Sequence, residues 1–486
     1  MKTLIVVNNP QEWSLKLDGV EVVSARTYVM DAAYARLKDV KVYNMCKSYR
    51  YQTIGYYVSL LATARNHRPM PDVMTIQDLK SQTLVKFASE DLDQMIQKSL
   101  KPLESGRYIL DIYFGKSVDK KLDRVAAQFF NLFPSPFLRA VFTCTDKWTL
   151  TSLNSLAASE IVPEHKVFAV KAAEEYFSKP KRIVRKKSAR YDLAILYDPK
   201  EGHGPSNEKA MQKFVKAAES VGFYAELISK DDMSRLAEFD ALFIRQTTSV
   251  NHFTYRFARR AEANGMVVID DPQSILRCTN KVYLAELMDK NKVPIPKTMV
   301  VHKGNLDQIA DTMGFPCVLK QPDSAFSLGV KKVSSQEELE KTCEVLLSKS
   351  ELLIAQEFLP TEFDWRVGVL DGQPLYVCKY FMVKKHWQII QSEGGKTRYG
   401  DFETIPVEHA PTKLIKVAVK AANLIGDGLY GVDIKQIGRE YYLIEVNDNP
   451  SIDAGVEDQY LKDELYRRVM RVFLKRVEEN SYGHYA

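Results

Sequence analysis

The sequence predicts a multidomain α/β protein. Its 486 residues exceed what one ordinary hydrophobic core organises, and imply about two to four domains. Short β-branched runs alternate with helix-like polar stretches. That alternation occurs in two blocks, and a basic segment lies between them.

The first block, residues 1–178, opens with the strand Leu4–Val7 and continues through Val20–Val23 and Val40–Tyr43. It contains SYRYQTIGYYVSLLATARNHR (Ser48 to Arg68), which reads as an amphipathic helix packing an aromatic face. Residues 179–190 follow, within KPKRIVRKKSAR. A run this basic, with a proline and no interleaved aromatics, reads as an exposed linker and not as a base-stacking surface.

A second α/β unit occupies residues 191–279. YDLAILYD reads as a strand, the loop EGHGPSN follows, and the helix Glu208–Val221 places Ala217, Ala218 and Val221 on one stripe. FYAELI, FDALFIR and MVVID supply further strands, so a small parallel sheet is expected. From residue 280 the pattern changes. A helix Asn280–Lys290 leads to VPIPKTMVV, and then come the strand PCVLK, the loop QPDSAFSLGV and the strand LLIAQEFL. GLYGVDIKQIGREYYLIEVNDNPS reads as a hairpin turning at IGRE, and Asp463–Glu479 as a charged amphipathic helix.

Composition narrows the class. Hydrophobic residues make up 45% and charged residues 27%, as in a soluble globular protein. The net charge of +6 is small for this length and fits anionic small molecules as well as nucleic acid. The six cysteines form no C-x-x-C pair and have no zinc-type spacing, so they read as reduced thiols. MKTLIVVNNP reads as a first strand and not a signal peptide, and no apolar run approaches the roughly 20 residues that cross a membrane. The expected location is cytoplasmic, without a membrane partner.

The chemistry concentrates late in the chain. In LIEVN, Glu445 and Asn447 alternate and so face one way, and Asp433 in GVDI lies on the partner strand. Acids inside apolar runs need a partner, and Asp, Glu and Asn oxygens on one sheet face suit Mg²⁺. Lys320 ends a strand before a loop of small residues that can cradle phosphate, although plain turn chemistry explains that loop equally well. Lys281 opens the preceding helix. The backbone at Glu357–Leu359 can pair with an adenine, with Glu357 accepting from the amino group. Arg366 and Asp364, two apart on a strand, are placed for a same-face ion pair.

The series NK, PIPKT, PCVLKQPDSAFSLGV, IAQEFLPTEFDWRV, GVDI and LIEVNDNPS resembles the ATP-grasp superfamily, most closely RimK-type ligases that add glutamate to peptide or small-molecule acceptors. The likeness runs from about Tyr191 to the C-terminus. The first block looks like the N-terminal domain that precedes ATP-grasp in a RimK-related subgroup. The resemblance implies a pre-ATP-grasp α/β unit over 191–279 and a two-lobed ATP-grasp fold over 280–486, with lobes of about 280–350 and 351–486. It implies ATP and Mg²⁺, with Mn²⁺ as an alternative, and amino-acid or peptide substrates. A homo-oligomer is compatible with it, and nucleic acid is not the expected partner.

Residue by residue, the resemblance gives Lys281 and Lys320 to the ATP phosphates, and Gln356, Glu357, Phe358 and Leu359 to the adenine hinge. Asp364 and Arg366 match the family's D-x-R, with the arginine at the phosphoryl and acyl-phosphate region. Asp433, Glu445 and Asn447 match the metal ligands. Lys396 and Arg398 in GGKTRYGD occupy the place of the basic substrate loop. Two departures stand out: Phe326 sits in a glycine-poor phosphate loop, and the glycines of the basic loop precede its cations. The reaction implied is carboxylate activation as an acyl phosphate, followed by attack of an amine. A small-molecule kinase or a non-catalytic nucleotide-binding protein would use the same nucleotide residues.

Overall fold

Alternating apolar residues decide the architecture of the first compact unit, residues 1–185 with Asp231–Glu238. The computed structural model describes residues 2–13, 20–38, 40–82, 85, 92–101, 106–178, 189–202, 204–323, 329–384, 386–393 and 396–483. Strands β1 (Lys2–Val7), β2 (Glu21–Ser24), β3 (Val40–Asn44) and β4 (Arg68–Met70) form a parallel sheet in the order β2-β1-β3-β4. Leu4, Val6, Val40 and Val42 face one core with Tyr28, Val58 and Ala62. Ile5, Val7, Tyr43 and Met45 face a second, larger core. A parallel sheet covered on both faces in this way reads as near-continuous apolar strands. The second core also holds an antiparallel sheet that the alternation did not predict: β5 (Arg107–Tyr113), β6 (Phe137–Cys144) and β7 (Trp148–Ser155).

The tyrosine-rich stretch differs from expectation. It does form a helix, Ile54–Ala64, but the buried face carries Gly55, Val58, Ser59 and Ala62. Tyr57 is 38% exposed and Tyr51, before the helix, is 65% exposed. Gly55 explains the inversion: a Cβ there would lie 2.3 Å from the Ser48 carbonyl oxygen, so the helix packs on small residues and turns its rings outward. Most of the expected linker, 179–188, lies outside the described residues.

The second unit comprises residues 186–230 and 239–486. Strands β8 (Tyr191–Leu196), β9 (Phe223–Ile228), β10 (Ala241–Ile244) and β11 (Val267–Ile269) form the expected parallel sheet, in the order β11-β10-β8-β9. Helix Glu208–Ser220 and the C-terminal helix Asp463–Gly483 share one core on it. Strands β12 (Thr298–Val301), β13 (Cys317–Lys320), β14 (Val330–Val333) and β15 (Leu353–Glu357) make an antiparallel sheet ordered β12-β15-β13-β14. That sheet therefore extends past residue 350.

A third, antiparallel sheet runs β20-β17-β16-β21-β22. It contains β16 (Phe363–Leu370), β17 (Gln373–Phe381), β20 (Phe402–Ile405), β21 (Leu429–Ile437) and β22 (Glu440–Asp448). The ribbon of β18 (Ile390–Glu393) and β19 (Lys396–Tyr399) interrupts it between β17 and β20. Helix Thr412–Ile425 covers one face with Leu414, Val417, Ala418 and Ala421. The six cysteines are unpaired, and no described helix is long and apolar enough to cross a membrane.

Phe214 joins the parallel sheet to the C-terminal helix. Its ring lies 5.0 Å from Phe243 and 4.7 Å from Tyr466, and it is fully buried. Phe214→Ala should cost about 3–5 kcal/mol through lost burial and the cavity left behind, measured by denaturant titration.

Candidate functional site

The site is built on the face of the third sheet opposite the Thr412–Ile425 helix. On β21, Tyr430, Val432 and Ile434 point into the core, which leaves Gly431, Asp433 and Lys435 on the other face. On β16, Trp365, Val367 and Val369 are core, which leaves Asp364 and Arg366 with them. Strand β22 reaches the same face by a change of register. Asp433 pairs with Glu445 while its neighbour Ile434 pairs with Leu443, so Ile444 is an extra residue. Before this bulge the odd-numbered Tyr441 and Leu443 are core. After it Val446 is core, and Glu445 and Asn447 turn to the site.

The register then aligns charge across three strands. Arg366 pairs with Asp433 on β21, and Asp433 pairs with Glu445 on β22. Arg366 grips both carboxylate oxygens of Asp433, through Nε and through Nη2 at 2.9 Å. Asn447 donates its amide to Asp433 at 3.1 Å and to the Gly431 carbonyl at 3.3 Å, leaving its own oxygen for another partner. The Lys281 ammonium lies 3.0 Å from Glu445. Asp364 pairs with Lys435 at 2.6 Å, not with Arg366 as its spacing allowed. The cross-strand partner prevails because the register sets Asp433 beside the guanidinium.

Lys320 and Gln356 come from neighbouring strands of the second sheet, and both are 8% exposed. The Lys320 ammonium donates to the Gln356 amide oxygen at 2.7 Å, and Gln356 donates to Thr298 at 3.0 Å. Lys281, Lys320, Gln356, Thr298, Met288 and Leu443 line a cavity between that sheet, helix Lys281–Lys290 and β22. Glu357 is held by the segment before β12. It is exposed at the end of β15, its N–H donates to the Lys297 carbonyl at 2.9 Å, and its carboxylate accepts the Lys297 N–H at 3.3 Å. Phe358 and Leu359 follow half-buried. The Phe358 ring meets Trp387 at 5.9 Å, and the Lys332 ammonium lies 4.9 Å from it.

Arg398 is exposed on β19, opposite Gln391, and no contact joins it to the Arg366 cluster among the described residues. The Lys396 backbone belongs to the same strand. Of the expected phosphate loop, residues 324–328, Phe326 among them, lie outside the described residues.

Burial and neighbouring charge set the protonation states. Burial depresses the Lys320 ammonium to about 8, although Glu445 pulls the other way. Burial raises the Glu445 carboxyl, but Lys281 and Lys320 outweigh it and hold the group below the usual value. Burial lifts Asp433 above its ordinary value against the pull of Arg366. The cations Lys281, Lys320, Arg366 and Lys435 outnumber the carboxylates Glu445, Asp433 and Asp364, four to three. Such a face favours a polyanion.

The sequence reading passed over a buried polar group at the carboxyl ends of β10 and β11. Arg245 is 0% exposed and donates to Ser206, Asn449 and the carbonyls of Pro205 and Pro450. It braces the segment that follows Asn447. Asp270 is 1% exposed, and among the described residues neither of its carboxylate oxygens has a partner in hydrogen-bond geometry, although the Asn449 backbone lies near. Burial and the nearby Asp448 push its carboxyl well above the usual range. The available signal was a charged residue directly after an apolar strand, in ALFIR and in VVID. Glu457, 2% exposed, accepts hydrogen bonds from the hydroxyl of Tyr380, whose ring carries Arg366 at 5.6 Å, and from the Asp453 N–H.

Two family models match the chain: residues 278–471 match the RimK-like ATP-grasp domain, and residues 25–172 match the RimK-like ATPgrasp N-terminal domain. A probable alpha-L-glutamate ligase of Syntrophotalea carbinolica is 25% identical over 232 residues, covering 47% of this chain and 74% of that protein. The coenzyme gamma-F420-2:alpha-L-glutamate ligase of Methanococcus maripaludis is 26% identical over 206 residues, covering 41% of this chain and 68% of that one. Among solved structures, a RimK domain ATP-grasp protein of Sphaerobacter thermophilus aligns with a TM-score of 0.43 and 16% identity, over 58% of this chain and 98% of that one.

Glu457 gives a pH prediction. Burial raises its carboxyl from 4.5 to about 7, partly offset by the Tyr380 hydroxyl. The folded state therefore prefers the protonated form, and the stability this supplies is lost as pH rises from about 4.5 through 7, on the order of 3 kcal/mol in all. Glu457→Gln should melt at a temperature that rises relative to the parent between pH 5 and pH 8, followed by thermal denaturation.

Proposed function

We propose that the protein is an ATP-dependent carboxylate–amine ligase that forms an amide bond through an acyl phosphate. The observation that carries this reading is the row Arg366–Asp433–Glu445, flanked by Asn447 and by two buried lysines. In this reading Lys281 and Lys320 hold ATP phosphates. Gln356, Phe358, Leu359 and the Glu357 backbone edge border the adenine, with Asp364 supporting the site through Lys435. Lys396 and Arg398 attract the anionic substrate. Residues 1–178 form an accessory domain, 179–190 a linker, 191–279 the pre-ATP-grasp unit and 280–486 the catalytic domain.

The donor set suits Mg²⁺, with Mn²⁺ as a second candidate. Two carboxylates and one amide oxygen converge on one face, hard oxygens that leave room for phosphate oxygens and water. No group of three His, Cys, Asp or Glu residues placed to hold a metal ion occurs among the described residues; in this reading the Asn447 oxygen and the nucleotide would complete the set. When bound there, such an ion would supply positive charge to neutralise the phosphates. Asp433 and Glu445 share their negative charge with Arg366 and Lys281 and stay oriented toward it.

The chain's own residues do the rest by position and charge. A carboxylate oxygen of one substrate bonds to the γ-phosphorus, and the bond from that phosphorus to the bridging oxygen breaks, releasing ADP. The substrate amine, having lost a proton, then bonds to the acyl carbon, and the carbon–oxygen bond to phosphate breaks. Arg366, fixed by its bidentate grip on Asp433, faces the charge that develops on the phosphoryl oxygens. The pairing with a glutamate ligase in the family makes an amino acid the amine to test first, and a peptide or small carboxylate the acceptor.

An ADP-release screen of amino acids and peptides, singly and in pairs, with the product mass read out, tests the reading. ADP release that requires both a carboxylate and an amine supports it, and ADP release without amide product overturns it. Glu445→Gln should lower turnover about 10²-fold or more while leaving the melting temperature near that of the parent, because the substitution removes a charge and keeps the shape.

Lys320 supplies a further test. Burial pushes its ammonium down to about 8, and bound phosphate favours the charged form. ATP binding at pH 8 should therefore take up as much as about half a proton, since about half of the Lys320 ammonium is already charged there, and affinity should fall as pH rises above 8. Calorimetry in buffers of different ionisation enthalpy reads the uptake, and it should vanish in Lys320→Met.

A further inference from the structure

The first unit has a cavity of its own, of about 100 Å³, at the carboxyl ends of β1 and β3. These two strands are where the sheet order β2-β1-β3-β4 changes direction. The chain leaves β1 for β2 on one side, then crosses back to β3 on the other. At such a point the loops diverge and open a crevice beyond the strand ends, the usual ligand position in an open parallel sheet. Here the loop after β1 contributes Asn8, Asn9 and Trp13, and the loop after β3 contributes Lys47.

The lining is one-sided in its chemistry. Met45 and Ile161 give a buried apolar floor, and Lys47 and Lys166 bring two exposed ammonium groups. The Asn8 side chain is held to the rim by the Lys47 N–H, at 2.6 Å. The Trp13 indole N–H is shielded from solvent and has no hydrogen-bond partner among the described residues, although a buried donor normally has one. No carboxylate lines the cavity among the described residues. Cations and an unused N–H donor around an apolar floor are complementary to an anion that carries an apolar body.

We propose that this cavity is a binding site for a small carboxylate- or phosphate-bearing molecule with a flat apolar portion, separate from the nucleotide site of the second unit. The apolar part rests on Met45 and Ile161. The anionic group meets Lys47 and Lys166, and the Trp13 N–H donates to one of its oxygens. The N-terminal unit then carries a ligand specificity of its own.

Calorimetric titration of the full-length protein with 3-phenylpropionate, phenyl phosphate and the neutral 3-phenylpropanol tests this. The expected result is saturable binding of at least one anion and none of the alcohol, and which anion binds tells a carboxylate ligand from a phosphate one. Affinity should fall about tenfold or more in the double variant Lys47→Gln, Lys166→Gln, and severalfold in Trp13→Phe. It should be unchanged in Lys320→Met, which separates this cavity from the nucleotide site. Both lysines are exposed, so the double variant should melt with the parent. No saturable binding of either anion, equal binding of the alcohol, or equal affinity in parent and double variant would overturn the proposal.

Discussion

One extra residue, Ile444, holds the site together. In a regular strand Tyr441, Leu443, Glu445 and Asn447 would share one face, and two of them are core residues of the third sheet. The bulge gives β22 one face for packing up to Leu443 and turns Glu445 and Asn447 onto the opposite, charged face. Without it, either an acid and an amide would sit against the Thr412–Ile425 helix, or the apolar residues would face the substrates. Burying an unpaired carboxylate in that core would cost several kcal/mol, so the register is strongly specified.

From that register follows the arrangement of charge. Asp433 sits between Arg366 on one neighbouring strand and Glu445 on the other, and Glu445 is balanced by Lys281 from a helix start. Arg366, Asp433 and Glu445 are half-buried and Lys281 is buried, and each has a partner that is itself anchored by regular structure. The site is thus assembled before any ligand arrives, which is what catalysis by positioning requires. Lys320 is the exception. It is buried with only an amide for a partner among the described residues, and its depressed ammonium is a cation that gains most from an incoming anion. Arg245 does comparable work from the parallel sheet, clasping the carbonyls of Pro205 and Pro450 and so steadying the turn that follows Asn447.

Local pattern was enough for the elements that carry the site. The hairpin around Gly438, the lysine at the start of helix Lys281–Lys290 and the lysine at the end of β13 all fall where the sequence periodicity puts them. Contacts between distant residues were not legible in the same way. Arg245 and Asn449 are 204 positions apart, and nothing in ALFIR or NDNPS separately announces their bond. The Asp364–Arg366 pairing failed for a related reason: spacing along one strand says which residues share a face, but cross-strand register decides which of them touch. The bulge itself was hidden because LIEV reads as an ordinary apolar strand whichever residue is extra. In the first unit, tyrosine-rich composition suggested an aromatic buried face, whereas close backbone approach at Gly55 selected small residues for it.

In the proposed reaction the charged face of β16, β21 and β22 directs a carboxylate to the γ-phosphorus of ATP. Isotope transfer checks that step, using the carboxylate substrate labelled with ¹⁸O at both oxygens and the phosphate analysed by mass after turnover. ADP should be the nucleotide product, with one labelled oxygen in each inorganic phosphate and the other kept by the amide. Label in AMP, with pyrophosphate released, would place the attack at the α-phosphorus and rule out the γ-phosphoryl route.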